Sequence, residues 1–220
     1  MAKIHFKYGA MNSGKSDTLI KTAYNYNENG LDVIIIKPSI DTKGGKFIVA
    51  RSGSQMKIDI FATPDLDIRQ AIKAYTKTAN LKNLSCILID EAQFLSAKQV
   101  DQLYEVAKID KISVIAHGLR ADFRTELFPG SKRLFEIVDS IEKLPTMCKC
   151  GSQAEFNCRM DNGEYVFEGN QVAIDGDKTT TYRSLCGSCY QKEKNAKQLK
   201  PQHLNTQTKR ILKSNRGDNR

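Results

Sequence analysis

Residues 9 to 16 read Gly-Ala-Met-Asn-Ser-Gly-Lys-Ser, a full Gly-x-x-x-x-Gly-Lys-Ser pattern, and this octapeptide constrains the fold more than any other stretch of the chain. Such a loop works only between the end of a buried strand and the start of a helix. The flanks meet that demand: Ile4 to Tyr8 are strand-like, and Lys15 to Asn27 have helical character. Gly9 and Gly14 free the backbone to curl, so that successive N–H groups point at phosphate oxygens. A helix starting near Gly14 adds its positive end to the cradle. The nucleoside triphosphate site is therefore assigned to Gly9, Ala10, Met11, Asn12, Ser13, Gly14, Lys15 and Ser16. Lys15 is expected to reach the β- and γ-phosphates, and the Ser16 hydroxyl to sit on the magnesium ion that bridges them. An ordinary glycine turn with a capping serine accounts for Gly14 and Ser16, but not for Gly9 and Lys15 as well.

A second segment completes the phosphate site. Cys86-Ile87-Leu88-Ile89-Asp90-Glu91 is an apolar strand ending in two acids. Asp90 is the expected magnesium acid, which leaves Glu91 to act on the nucleophile. In a kinase that means accepting a hydroxyl proton, and in an ATPase orienting water; the residues up to this point leave both open.

Further apolar runs at Val33 to Ile36 and Ser113 to Ala116 have the length and continuity of strands buried on both faces. Helical segments are expected at Lys15 to Asn27, Asp65 to Thr78 and Ala97 to Ile109, with Asp65 and Ser96 as N-caps. The alternation predicts an α/β core, a mostly parallel sheet covered by helices, over residues 1–145. Gly44, Gly45 and their polar neighbours suggest a mobile loop from Ser39 to Gly53. After about Pro145 the long apolar runs give way to cysteines, glycines and short alternating segments. There Asn162-Gly163, between Phe156 to Arg159 and Glu164 to Phe167, signals a hairpin. A second, small lobe is expected over residues 146–190.

Cys148-Lys149-Cys150 and Cys186-Gly187-Ser188-Cys189 supply four sulfurs in two tight pairs. In a reducing compartment this spacing favours Zn²⁺ over disulfides, with all four positions filled and the metal structural. Cys86 is assigned to the core, and Cys158 lies outside the metal set.

The 220 residues carry a net charge of +9, which raises the question of nucleic acid. Location answers it: residues 191–220 hold nine Lys or Arg against Glu193 and Asp218, so most of the excess lies in the last thirty residues. That stretch reads as a solvated, disordered basic tail, and neither nucleic acid nor a membrane is an expected partner. The N-terminus lacks the form of a signal sequence and the apolar runs are short, so an intracellular protein is expected.

Together these residues resemble the thymidine kinase family that combines a RecA-like core with a zinc lobe, closest to its bacterial and phage branch. The resemblance rests on residues 9–16, on Asp-Glu-Ala-Gln-Phe at 90–94, on Gly-Leu-Arg-Ala-Asp-Phe-Arg at 118–124 and on Tyr-Arg-Ser-Leu-Cys-Gly-Ser-Cys at 182–189. It implies transfer of the γ-phosphoryl of ATP to the 5′-hydroxyl of thymidine, with Glu91 as general base and Asp90 at the Mg²⁺. It also implies a nucleoside pocket walled by Phe94, Leu119, Phe123 and Phe128, with Met11 at its edge and Asn157 beside the base. A lasso loop over Gln171 to Tyr182 is expected to read the thymine edge through the backbone of Val172, Ala173 and Ile174, with Tyr182 closing the pocket. A cytoplasmic homotetramer inhibited by thymidine triphosphate is inherited from the same resemblance. The competing reading is a nucleic-acid-stimulated ATPase, because Asp90-Glu91-Ala92-Gln93 also resembles the second nucleotide motif of DEAD-like helicases.

Overall fold

The computed structural model of the chain describes residues 1–171 and 180–199. Its centre is a six-stranded sheet built from β1 (Ile4–Tyr8), β2 (Asp32–Pro38), β5 (Ile60–Ala62), β6 (Leu84–Ile89), β7 (Ser113–Gly118) and β8 (Ser140–Lys143). The order is β5-β2-β6-β7-β1-β8, and every pairing is parallel. The expected strands are all present. Parallel strands need crossovers that cover both faces, and the sequence supplies a helix for every one except that from β2 to β5.

One face is covered by α2 (Ile68–Thr78), α3 (Ala97–Lys108) and α4 (Pro129–Ile137). Ile68, Ile72, Val100, Leu103 and Leu134 pack there against Ile4, Phe6, Ile34, Ile36, Ile87 and Val114. The other face takes α1 (Lys15–Glu28), whose Leu19, Ile20 and Ala23 meet Ile35, Cys86 and Leu88. Cys86 is thus a core residue, as expected.

Local chemistry sets the helix starts. Ser96 forms a capping box with Gln99: its hydroxyl accepts from the Gln99 N–H at 3.2 Å, and Gln99 Oε1 accepts from the Ser96 N–H at 3.1 Å. Gln99 is 3% exposed and also donates to the carbonyls of Thr63 and Leu66, tying α3 to the β5–α2 connection. At α2 the cap is Asp67, which accepts from the Gln70 N–H at 2.9 Å, and not Asp65. Either acid suits an N-cap by type; the turn ending in Leu66 N–H to Thr63 carbonyl places the later one.

Residues 39–53 are more ordered than their glycines suggest. β3 (Phe47–Val49) and β4 (Gln55–Lys57) form a hairpin whose Ile48, with Ala50 and Ile58, is buried against α1.

The second unit is a three-stranded antiparallel sheet, β10-β9-β11, of β9 (Phe156–Asp161), β10 (Glu164–Val166) and β11 (Thr180–Leu185), followed by α5 (Gly187–Leu199). Asn162 and Gly163, both at positive φ, make the expected turn between β9 and β10. Cys158, Leu185 and Tyr190 form a small core of their own with the cysteine cluster. Helix α5 corrects one expectation: residues 191–199 are helical rather than the start of an extended tail. The rest of that tail, from residue 200, lies outside the described residues, as does most of the lasso segment. Among the described residues no helix is long and apolar enough to cross a membrane.

Candidate active site

The phosphate loop leaves β1 at Tyr8 and enters α1 at Lys15. Two glycines have definite tasks in it. A Cβ on Gly9 would lie 2.3 Å from Ser13 Oγ and 2.8 Å from the Leu144 carbonyl, and Gly14 sits at φ +74°. Lys15 is 7% exposed, and its ammonium donates to the carbonyls of Gly9 and Ala10 at 3.3 and 3.0 Å and to Ser13 Oγ at 3.3 Å. Burial lowers its proton affinity, against the opposing pull of Glu91 and Asp90. It is a cation held inside the cradle that an anion would fill.

Asp90 and Glu91 follow β6, which lies two strands from β1 with β7 between them. Asp90 is buried, and its carboxyl is pushed up to about 7 by burial first and by the charge of Glu91 second, while Lys37 opposes the shift. The Ser16 hydroxyl faces both Asp90 oxygens, at 3.5 and 3.4 Å. That spacing is about half an ångström wider than the roughly 2.9 Å between neighbouring oxygens on a magnesium octahedron, a gap that small side-chain rotations close, and a hydroxyl with a carboxylate is the oxygen donor set this ion takes. The residues therefore fit Mg²⁺.

Glu91 has φ +50°, a left-handed conformation that a non-glycine residue adopts only when its surroundings impose it. Those surroundings are visible. Gln93 is fully buried, donates its amide to the Glu91 carboxylate, and accepts from the Leu119 N–H at 2.9 Å. Gly118 makes room, since a Cβ there would lie 2.8 Å from Gln93 Oε1. Gly130 presses α4 onto the same turn, where a Cβ would meet the Ala92 carbonyl at 2.4 Å. Gln93 thus links the acid of one strand end to the backbone of the next.

Beyond Glu91 the cavity turns aromatic. Phe94 and Phe128 meet edge to face with centroids 5.6 Å apart, and Phe123, Leu119, Tyr182 and Asn157 complete the walls. The loop after β7 is rigidly built. Asp122 accepts from the N–H groups of Arg124 and Glu126 at 2.8 and 3.0 Å, Ser131 Oγ donates to the Leu119 carbonyl, and Tyr190 Oη donates to the Phe123 carbonyl at 2.9 Å. Phosphate loop, Glu91 and aromatic box line one cavity of about 660 Å³.

Asn157 lines that cavity, yet both its amide atoms are engaged elsewhere. Its Oδ1 accepts from the Met11 N–H at 2.8 Å, and its Nδ2 donates to the Ala121 carbonyl at 3.0 Å. Directly across the β9–β11 pairing, Ser184 Oγ donates to the Met11 carbonyl at 2.5 Å. The second unit thus grips the phosphate loop at Met11 by both backbone groups. Val172, Ala173 and Ile174 lie outside the described residues.

The sulfurs of Cys148, Cys150, Cys186 and Cys189 all lie within 4.8 Å of one another, with Cys150 and Cys186 3.6 Å apart. A tetrahedral zinc–thiolate site has sulfurs about 3.8 Å apart, whereas a disulfide brings them to about 2.05 Å. The four residues fit a structural metal.

These features have counterparts among known proteins. The family model described as thymidine kinase matches residues 2–190. The chain belongs to the thymidine kinase family. It is similar to the thymidine kinase of Shewanella oneidensis, 43% identical over 189 residues that cover 84% of this chain and 95% of the relative. The Enterobacteria phage T4 enzyme is 42% identical, covering 84% and 94%, and that of Legionella pneumophila (strain Lens) 41%, covering 87% and 90%. Bacterial and phage thymidine kinases therefore span nearly the whole described part of the chain. Motif reading quoted Gln93, Asp122 and Ser184 within its segments without giving them a task, and it passed over Ser131. The close-packed Gly118 was the available signal for Gln93.

Proposed function

We propose that the chain is an ATP:thymidine 5′-phosphotransferase, which forms thymidine monophosphate and ADP. The observation that carries the reading is the single cavity lined together by the phosphate cradle, the Glu91 carboxylate and the apolar aromatic box. A flat base fits the box formed by Phe94, Leu119, Phe123, Phe128 and Tyr182, which leaves the 5′-hydroxyl facing Glu91. Glu91 takes the hydroxyl proton as the bond from thymidine O5′ to the γ-phosphorus forms and the bond to the bridging oxygen of ADP breaks. Lys15 and the loop N–H groups hold the phosphates, and Ser16 and Asp90 would hold Mg²⁺. That ion, when bound, neutralises charge on the β- and γ-phosphate oxygens. Asn157 acts in this reading chiefly by holding Met11, with only its outer surface toward the base.

Zn²⁺ on Cys148, Cys150, Cys186 and Cys189 would join the approach to β9 to the exit of β11, the two strands that grip Met11. The backbone of Val172, Ala173 and Ile174 would read the thymine edge. The reading extends, on the family resemblance, to a cytoplasmic homotetramer in deoxynucleotide salvage with thymidine triphosphate as feedback inhibitor. Both edge strands of the parallel sheet carry an exposed large apolar residue, Phe61 on β5 and Ile141 on β8, in keeping with partners at those edges.

The test is phosphoryl transfer from labelled ATP with magnesium, offering thymidine, deoxyuridine, deoxycytidine and deoxyadenosine separately, with single-stranded nucleic acid as a parallel stimulant. Thymidine-dependent formation of the 5′-monophosphate is expected. ATP hydrolysis on adding nucleic acid, with no transfer to any nucleoside, would replace this reading with the motor one.

A further inference from the structure

We propose that Arg51 is a further catalytic residue of this kinase, a guanidinium that the β3–β4 hairpin holds against the γ-phosphoryl oxygens during transfer. The proposal rests on the phosphate-site reading above. Arg51 lines the same cavity as Lys15, Ser16 and Glu91. Its side chain is also uncommitted. Arg69, Arg124, Arg133 and Arg159 are each held by carboxylates, whereas Arg51 makes no ion pair or hydrogen bond among the described residues. An exposed arginine without a partner is ordinary on an outer surface. At the mouth of a phosphate cavity it is a free bidentate donor for an anion.

The mount argues for a built position. Hairpin residues Ile48 and Ala50, 1% and 5% exposed, pack with Ile58 onto Leu19, Ile20 and Ala23 of α1. The turn is closed by Ala50 N–H to the Ser54 carbonyl at 2.8 Å and Gly53 N–H to the Ala50 carbonyl at 3.1 Å, with Gly53 at φ +92°. Ser52, next to Arg51, donates its hydroxyl to the carboxylate of Asp17 in the first turn of α1. The hairpin tip is therefore tethered to the same helix end that forms the phosphate cradle. The Arg51 charge already reaches this cradle: behind burial, and against Glu91 and Asp90, it contributes to the lowered proton affinity of Lys15. Lys43 lines the cavity too, and Lys37 Nζ holds its carbonyl to β2, but its ammonium lacks the bidentate fork of a guanidinium.

The chemistry gives this cation a task. As the bond from the γ-phosphorus to the β–γ bridging oxygen breaks and the bond to thymidine O5′ forms, charge spreads over the three equatorial oxygens and the leaving ADP oxygen. The hydroxyl proton passes to Glu91. Lys15 acts from the loop at the start of α1, and Arg51 acts from the hairpin packed against that helix. Arginines supplied in this way to other phosphoryl transfers raise kcat by about 10³ to 10⁵.

The test compares Arg51→Ala, Arg51→Lys and Lys15→Ala in the full chain by steady-state kinetics, nucleotide binding and thermal unfolding. Arg51→Ala is expected to lower kcat by at least ~10²-fold, the scale of one lost electrostatic donor. Thymidine KM and Tm should stay near the parent values, because the side chain makes no hydrogen bond or ion pair among the described residues. Arg51→Lys should recover little, since an ammonium lacks the planar fork. Added guanidinium should restore part of the Arg51→Ala turnover where the same concentration of sodium chloride does not. An unchanged kcat overturns the proposal. So does a raised ATP KM at unchanged kcat, which would mark a ground-state contact alone, or a loss of turnover that follows a loss of Tm and resists guanidinium. Full activity in Lys15→Ala would instead overturn the phosphate-site reading beneath it.

Discussion

Removing the Asn157 side chain should weaken ATP binding more than thymidine binding, although Asn157 lies among the aromatic walls of the cavity. Asn157→Ala deletes the acceptor for the Met11 N–H and the donor to the Ala121 carbonyl. Each neutral hydrogen bond is worth about 1 kcal/mol net, so a loss of about 2 kcal/mol in stability is expected, with Tm lower by about 4–8 °C for a chain of this size. The kinetic consequence follows from what Met11 does. It is the third residue of the phosphate loop, and once released, the loop must be ordered by the nucleotide itself. If about 1 kcal/mol of that ordering moves onto binding, the KM for ATP rises by about fivefold. Ser184→Ala removes the other grip, and Asn157 and Ser184 are opposite one another and share Met11. Their double mutant should therefore be non-additive by more than about 0.5 kcal/mol. Chemical denaturation and separate KM values for ATP and thymidine measure all of this. A raised thymidine KM with ATP KM and stability unchanged would show that Asn157 serves the base and not the loop, and would refute the argument.

Three further outcomes are expected. Glu91→Gln should keep ATP binding and lose at least ~10²-fold in turnover, as for a missing general base; unchanged turnover in a quench assay would remove Glu91 from that role. Cys186→Ser, or treatment of the parent protein with a strong chelator, should strip a stoichiometric metal, detected by elemental analysis, and raise the KM for both substrates; full metal content after the substitution would refute the ligand set. Gly130→Ala should destabilise by about 1–3 kcal/mol despite alanine's better helix propensity, because the new Cβ meets the backbone carbonyls of Ala92 and Leu95 at 2.4 and 2.7 Å. Turnover should fall with it as the turn bearing Glu91 shifts, and a melting curve at or above that of the parent would contradict the close packing.

The parts of this protein that were legible in its residues are those where side-chain type and spacing express the chemistry directly. The loop from Gly9 to Ser16, the acids closing β6 and the two cysteine pairs each need particular atoms at particular intervals, so each stands out in the chain. The strands and long helices were legible for a related reason, because burial on two faces or on one stripe imposes a period. The hairpin at residues 47–57 was hidden because Gly44, Gly45 and Gly53 dominate the reading of the span, while its strand-like Phe47-Ile48-Val49 is short and its burial comes from a helix thirty residues earlier. Helix α5 was hidden similarly: its basic residues face solvent, and Tyr190 is the one residue it buries.

The role of Asn157 was harder still, and for an instructive reason. A motif assigns a residue to the ligand it lies beside, but a buried amide has three or four hydrogen-bonding valences, and the fold can claim them first. Here the neighbours that claim them are backbone groups of Met11 and Ala121, which any sequence would present and no pattern marks. The same logic places Gln93 between Glu91 and the Leu119 N–H. Both amides join one lining segment of the cavity to the backbone of another. The loop from Gly9 to Ser16, Glu91 and the aromatic walls thus line one cavity held together by side-chain-to-backbone bonds. Disturbance at any of these joints should appear in the kinetics of the substrate bound on its far side.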